Sequence, residues 1–299
     1  MKDCAKILKI IAVVCLSVLL LNGCSSVNSG YFFGEETTEK RENITSDDLT
    51  VRFLDVGQAD SILVTCGTSS MLIDGGNVAD GDFVADWVTS STVKLDYVVN
   101  THPHEDHCGG LARVVESVEV ENAVISPQTA DTNCYNNFIG ELEARNVNTF
   151  TAEPGMEFSV GEAVCTVIGP ITSSPSDLNN ASVIIRLEYE DKVFLFMGDA
   201  ESEEERSVIQ AGYDVKCNVL KAGHHGSSTS SGYIFLREAM PDCVVVSVGA
   251  KNSYGHPDEN TISRFEDAGA SVYRTDVNGT VTVTVEKNGT IDYNAEKML

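Results

Sequence analysis

The chain has 299 residues, 42% of them apolar, which is enough for one sizeable domain, or two small ones, with a buried core and argues against disorder along its whole length. Its 45 acidic against 20 basic residues give a formal net charge of −25. That sign disfavours stable binding of duplex nucleic acid, whose affinity comes mostly from lysine and arginine on phosphates.

The N-terminus reads as an export signal. Lys2, Lys6 and Lys9 precede an apolar run from Ile10 to Leu21 broken only by Ser17. Twelve residues fall short of the roughly 20 that a spanning helix needs, so a cleaved signal over residues 1–23 is expected. It ends in Leu21-Asn22-Gly23-Cys24, which resembles the bacterial lipobox, where the cysteine is acylated and becomes the new N-terminus. Cys24 is therefore the expected lipid anchor on the extracytoplasmic face of the bacterial cell membrane; the alternative is an ordinary signal with an incidental cysteine. Loss of the signal takes away three lysines and one aspartate and brings the mature charge to −27. Residues 24–48, rich in Ser, Thr, Glu and Asn without apolar periodicity, read as a flexible tether. The folded domain is expected over 49–295.

That domain opens as a meander: strands at 51–54, 61–66 and 71–73, separated by Gly57, Gly67 and Gly75-Gly76. Helical spacing follows over 80–89, then a buried strand from Leu95 to Asn100 running into His102. A helix is predicted from His107 to about Val118 and another near 137–145, then strands at 158–160 and 163–168. The second half repeats the logic: a hairpin of 182–188 and 192–197 about Glu190-Asp191, a helix at 201–211, and a strand at 217–220 entering Gly223-His224-His225-Gly226. A helix near 233–239, a strand at 244–248, a helix near 259–268 and a hairpin about Asn288-Gly289 close the domain. Two strand-led halves with outer helices imply two packed sheets between helical layers, an αββα sandwich in the α/β (α+β) class.

Of nine cysteines, six remain beyond the signal and Cys24. Cys66, Cys165, Cys217 and Cys243 lie in or beside apolar runs and are expected as buried thiols. None shows the paired C-x-x-C spacing of a thiolate zinc site.

All six histidines fall in three clusters: His102, His104 and His107; His224 and His225; and His256. In extended chain the imidazoles of His102 and His104 point to one side and can share a cation, while Asp106 and His107 face a second position as the helix begins. This suits two metal ions held by imidazole and carboxylate. Asp199, after an apolar strand, would be costly to bury without a charged partner. It reads as a bridging ligand, with a helix N-cap as the bland alternative. Gly223 and Gly226 let the backbone approach a ligand around the histidine pair.

His102 to Gly110 resembles the HxHxDH signature of the metallo-β-lactamase superfamily. Asp55 to Ser61, Leu72 to Gly76, Gly198-Asp199, Leu220 to Ser227 and Tyr254 to Pro257 are together similar to one branch of it, the C-terminal hydrolase domain of ComEC-type competence proteins. Phosphorylcholine esterases of the pneumococcal type share part of the pattern. A free-standing version is expected, since no channel-forming segments accompany the match. The resemblance implies His102, His104, Asp106, His107, Asp199 and one of His224 and His225, here His225, as ligands of two divalent ions, zinc first and manganese as the alternative. The middle histidine ligand of lactamases and glyoxalases has no counterpart; Asn179 and Ser182 occupy its region. With His225 as ligand, His224 is free to act with Asp106 in catalysis, and Asn179, Ser182, Ser227 and His256 line the substrate side. Lys221 is read as a phosphate contact or a solvated strand end.

A phosphoester hydrolase, nuclease-like or acting on the cell wall, leads on this resemblance, with a small-molecule or polymeric phosphoester as substrate. The alternatives are a hydrolase of a β-lactam or thioester, and a non-catalytic binding lipoprotein.

Overall fold

A computed structural model describes residues 47–297 apart from 173, 174 and 176. The expected signal, Cys24 and almost all of the tether lie outside the described residues. Strands run as β1 (Leu49–Phe53), β2 (Ile62–Cys66), β3 (Ser69–Ile73), β4 (Lys94–Asn100), β5 (Glu119–Ile125), β6 (Asn148–Thr151), β7 (Glu157–Val160), β8 (Ala163–Gly169), β9 (Ile184–Tyr189), β10 (Lys192–Phe196), β11 (Val219–Lys221), β12 (Cys243–Val246), β13 (Ser271–Arg274), β14 (Val281–Val285) and β15 (Ile291–Ala295). Between them lie α1 (Gly81–Ser91), α2 (Glu105–Cys108), α3 (Leu111–Ser117), α4 (Asn133–Ala144), α5 (Ser202–Gln210), α6 (Tyr233–Ala239), α7 (Glu259–Asp267) and α8 (Thr275–Asn278).

The strands form two mixed sheets, ordered β15-β14-β1-β2-β3-β4-β5-β6 and β13-β12-β11-β10-β9-β8-β7. Each sheet is parallel where a helix carries the chain back between neighbouring strands and antiparallel elsewhere. Thus β3 to β6 pair in parallel across α1, α2–α3 and α4, and β10 to β13 across α5, α6 and α7.

Alternation along the strands builds three apolar layers. In β2, Ile62, Val64 and Cys66 face the other sheet while Leu63 faces the helices; in β10, Phe194 and Phe196 point between the sheets and Leu195 outward. Strands buried on both faces read as continuous apolar runs, as these do. Phe53 and Phe196 meet across the sheets with ring centroids 6.3 Å apart, each fully buried and worth about 1.5–3 kcal/mol. The first sheet's outer face is covered by Val84, Val88, Leu111, Val114, Phe138 and Leu142 from α1, α3 and α4. Val208, Phe235, Leu236 and Phe265 from α5, α6 and α7 cover the second. This is the αββα arrangement. Among the described residues no helix is long and apolar enough to cross a membrane.

Several elements depart from expectation. β5, β6, β13 and α8 were not anticipated, and α4 begins at Asn133, where the Thr132 side chain accepts the Tyr135 N–H as an N-cap. The helix expected from His107 onward is two helices, α2 and α3, parted at Gly109-Gly110. The cause is close packing: a methyl at Gly110 would overlap the Gly75 carbonyl oxygen, and one at Gly109 the Val78 nitrogen. Gly75 N–H donates to the His107 carbonyl (2.8 Å) and Gly110 N–H to that of Gly76 (3.1 Å), lacing the loop after β3 to the helix that carries His107. Gly110→Ala should therefore lower the melting temperature by about 5–10 °C, the scale of an overpacked core in a chain of this size. Thermal circular dichroism showing a shift within about 1 °C would mean that the loop moves aside without cost.

Candidate metal centre

The loops leaving β4, β10 and β11 converge at the carboxyl ends of their strands, the usual place for a site in a parallel arrangement. Two of the histidines placed by β4, His102 and His107, are held from behind. Asp74, fully buried just after β3 and at φ 58°, accepts the Thr101 N–H at 2.8 Å, the Thr101 hydroxyl at 2.6 Å and His107 Nδ1 at 2.8 Å. Four donors, counting Asn100 Nδ2 at 3.4 Å, surround this carboxylate and offset its burial. His107 gives its Nδ1 proton to Asp74, which reserves Nε2 as the ring atom that a metal would take once its proton is displaced, the carboxylate–imidazole arrangement that prepares a metal ligand. His102 Nδ1 is bounded by Thr101 Oγ1 at 3.2 Å and Ser182 Oγ at 3.4 Å, and its Nε2 faces His104 Nδ1 at 3.0 Å.

The second sheet supplies the rest. Asp199 lies two residues beyond Met197 in a loop that buries it to 2% exposure, and its backbone N–H donates to Ser182 Oγ at 2.9 Å. It does not cap α5, whose N-cap is Glu201. After β11 the chain turns through two consecutive left-handed residues, His224 (φ 47°) and His225 (φ 51°). For non-glycine residues such a pair costs of order 1–3 kcal/mol each and persists only where surroundings dictate it. The two side chains part company there. His225 is buried, with Nδ1 3.0 Å from the Ser247 carbonyl and 3.3 Å from Asp60 Oδ1, and Nε2 3.2 Å from Asp106 Oδ2 and 3.6 Å from Asp199 Oδ2. His224 keeps 22% side-chain exposure, sets Nδ1 3.0 Å from Glu201 Oε1, and leaves Nε2 3.8 Å from Asp199 Oδ2.

Donor atoms of Asp106, His107, Asp199 and His225 all lie within 4.8 Å of one another. Two of them, His107 Nε2 and Asp199 Oδ1, are 3.3 Å apart, fully buried and without any hydrogen bond. Orphaned atoms at the centre of an otherwise satisfied network are what a cation would complete, and imidazole with carboxylate is a donor set for zinc, manganese or iron. His102 also approaches that aspartate, with Nε2 3.9 Å from Asp199 Oδ2, and His104 stands beside His102. The residues fit a divalent metal. Another acidic group, Asp60, Asp74 and His107, is already committed to holding ligands in place.

Electrostatics follow the same layout. Burial alone pushes the carboxyl pKa of Asp199 up and the imidazole pKa of His107 down, but their mutual attraction reverses both: Asp199 is held well below the carboxylate range and His107 well above the imidazole range. His225 behaves likewise, burial opposing and Asp199 with Asp60 prevailing, so its pKa is pushed up to about 10. Asp106 is lowered by His107 and His225 against its own burial. His102 goes the other way, pulled well below its ordinary value by burial and then by His107. Metal binding must displace the protons that His107 and His225 would otherwise hold.

A family model described as the metallo-beta-lactamase superfamily matches residues 54–250. The chain belongs to that superfamily. Among curated proteins it is 26% identical over 250 residues to ComE operon protein 3 of Bacillus subtilis, covering 77% of this chain and 32% of that protein. It is 27% identical over 256 residues to Competence protein ComA of Neisseria gonorrhoeae, covering 83% and 34%. The chain spans about a third of the length of these ComEC-like competence relatives. The solved metallo-beta-lactamase fold protein YhfI of Bacillus subtilis matches with a TM-score of 0.52 at 13% identity, over 83% of this chain and all of that one, a likeness of fold. Members of the superfamily bind divalent metal ions, usually two, and the His/Asp group here is placed to do so.

The expected substrate-side residues separate by what their side chains touch. Asn179 reaches His224, with Nδ2 3.4 Å from Nδ1, and its Oδ1 is buried without a partner. His256 stacks beside the histidine pair, 5.2 Å from the His224 ring and 6.4 Å from that of His225; burial, then these two rings, lower its pKa. Ser182 is fully buried behind His102, and Ser227 is buried with its hydroxyl on Thr229 Oγ1 at 2.9 Å, so both hold the framework instead of facing a substrate. Lys221 is neither solvated nor placed for phosphate. It is fully buried, 2.8 Å from Asp60 Oδ2, and donates to the Ala222 carbonyl at 2.8 Å. Sequence reasoning missed Asp60, Asp74 and Glu201 as site residues. Asp74 carried a readable signal, a carboxylate directly after the apolar run Met71-Leu72-Ile73, the same pattern that singled out Asp199.

Proposed function

We propose that this superfamily member is an exported, metal-dependent phosphodiesterase or related phosphoester hydrolase. The observation that carries the reading is the pairing of the orphaned His107 Nε2 and Asp199 Oδ1 with a partly exposed His224 whose Nε2 lies 3.8 Å from the same aspartate. Asp106, His107 and His225 would hold one ion, His102 and His104 the other, and Asp199 would stand between them. When bound, such ions polarise a phosphoryl oxygen and lower the pKa of water. His224, with Nδ1 held by Glu201 and Glu201 in turn accepting the Thr229 hydroxyl at 2.7 Å, keeps Nε2 directed to the reacting side, where it can move a proton to or from the leaving oxygen. Asn179 beside it offers an amide to a phosphoryl oxygen. Zinc is the proposed metal, with manganese as the alternative.

The formal charge of −25 argues for a small or flexible phosphoester drawn in by the metals over a long duplex. A deciding experiment combines metal analysis per chain with a panel of a chromogenic phosphodiester, a β-lactam and a thioester. The expected outcome is bound divalent metal with cleavage of the phosphodiester alone. Hydrolysis of only the β-lactam or thioester overturns the substrate class, and metal without any hydrolysis overturns the enzyme.

Export and anchoring belong to the same proposal and rest on the sequence around Cys24, outside the described residues. Cys24→Ala should release the protein from the membrane fraction while leaving its thermal transition unchanged. Mass spectrometry of the native protein finding an unmodified Cys24 would refute the anchor.

A further inference from the structure

Of the six described cysteines, only Cys108 and Cys134 bring their sulfurs into contact, 3.7 Å apart. Their positions give the contact meaning. Cys108 ends α2, directly after the ligand His107, and is buried with its sulfur 3.7 Å from the Pro103 carbonyl. Cys134 is the second residue of α4 and is partly exposed, its sulfur 3.3 Å from Thr132 Oγ1. Helix α2 has four residues and ends at the Gly109-Gly110 break, so α3 does not continue it. Helix α4, by contrast, is anchored through Tyr135, Phe138 and Leu142 in the outer core.

We propose that Cys108 and Cys134 form a reversible disulfide that fastens the ligand-bearing helix α2 to α4. Closing the bond to about 2.05 Å asks the two sulfurs to approach by less than the width of one atom. The oxidant is a small-molecule disulfide such as oxidised glutathione. The thiolate of the accessible Cys134 attacks one of its sulfurs and releases the first glutathione thiol. The Cys108 sulfur then attacks the mixed disulfide at the Cys134 sulfur, giving up its proton as the second glutathione leaves as a thiol. The protein loses two protons and two electrons, and the oxidant is reduced to two thiols. Persistence of the bridge in the cell rests on the proposed export, since cytosolic thiol pools keep such pairs reduced. Its formation in vitro does not.

The test uses the full chain held in oxidised or reduced glutathione, blocked with iodoacetamide and digested without reduction. The expected result is that the peptides bearing Cys108 and Cys134 are recovered joined, lighter than the free pair by two hydrogens, while Cys66, Cys165, Cys217 and Cys243 remain thiols. Oxidation should raise the melting temperature by about 5–10 °C, the range for a bridge closing a loop of some 25 residues in a domain of this size. Dithiothreitol should reverse the rise, Cys134→Ser should abolish it and Cys217→Ser should retain it. Recovery of Cys108 and Cys134 as separately alkylated thiols under oxidising conditions overturns the bridge, and a joined pair with an unchanged melting temperature overturns its fastening role. Neither readout uses hydrolysis, so a chain that bridges without cleaving a phosphodiester fails only the proposed activity, and one that cleaves without bridging fails only this inference.

Discussion

Asp199→Ala is expected to weaken metal binding at both positions and phosphodiester cleavage together. The side chain lies between the two ligand groups, 3.3 Å from His107 Nε2, 3.6 Å from His225 Nε2 and 3.9 Å from His102 Nε2. Its removal leaves histidines gathered around no anion, and those that Asp199 had raised lose the partner that made a positive centre tolerable. Bound metal per chain should fall well below that of the wild type, and cleavage by about 10³-fold or more, the several kcal/mol of charge stabilisation that a metal site supplies. His224→Ala is the informative contrast. That ring stands outside the four-residue donor group and is held by Glu201, so its loss should spare the metal while slowing cleavage by roughly 10²–10⁴-fold, the scale of general acid–base assistance. Elemental analysis and initial rates on folded variants decide the matter. Metal lost in His224→Ala but kept in His225→Ala reverses the roles within the pair, and unchanged rates in all three variants end the catalytic reading.

Lys221→Met should destabilise the fold by about 3–5 kcal/mol, the cost of leaving a buried carboxylate without its cation. Asp60 and Lys221 form that pair at 2.8 Å, both shut away from solvent, and Asp60 also stands against His225. Burial raises the Asp60 pKa, but Lys221 and then His225 lower it further, so the net displacement is downward. A depressed carboxylate contributes stability that is fully present above its unfolded value near about 4 and is lost as the pH falls through its lower folded value. The defect of Lys221→Met is therefore expected across neutral pH and fades in acid. The double variant Asp60→Asn with Lys221→Met should recover most of the stability, because no charge is then stranded. It should still bind metal roughly 10–100-fold more weakly, as outer partners of ligating histidines typically do on mutation. Urea unfolding and metal titration separate the two effects; equal stability of wild type and Lys221→Met would show that the pair contributes nothing.

The histidines were legible in the sequence because the chemistry sits where strands end, and strands buried on both faces announce themselves as apolar runs: Leu95 to Asn100 leads to His102, and Val219 to Lys221 leads to His225. The weaker strands escaped notice for the converse reason. β6, Asn148–Thr151, is an edge strand exposed along its whole length and shows no apolar face, and β5 opens with Glu119 and Glu121 on a partly exposed stretch, so its apolar signal is confined to Ala123, Val124 and Ile125 at its end. β13 is likewise an edge strand without a fully buried residue. The break between α2 and α3 depends on the approach of Gly75 and Val78, more than thirty positions earlier, which no local pattern reports. The same holds for Lys221. An isolated lysine at a strand end carries no sign of an aspartate 161 positions away, and only the packing of the two sheets brings Asp60 to it.

The proposed metal ligands are divided between the sheets, with His102, His104, Asp106 and His107 on the loop after β4 of one and Asp199 and His225 on loops after β10 and β11 of the other. Neither half of the chain contains a finished coordination sphere. During synthesis the early histidines emerge more than a hundred residues before His225, so the centre can be completed only after the second sheet has docked, as a late event of folding. A chain exported before it folds would thus meet its metal on the far side. The ions available there, and not those of the cytoplasm, would then select what fills the site.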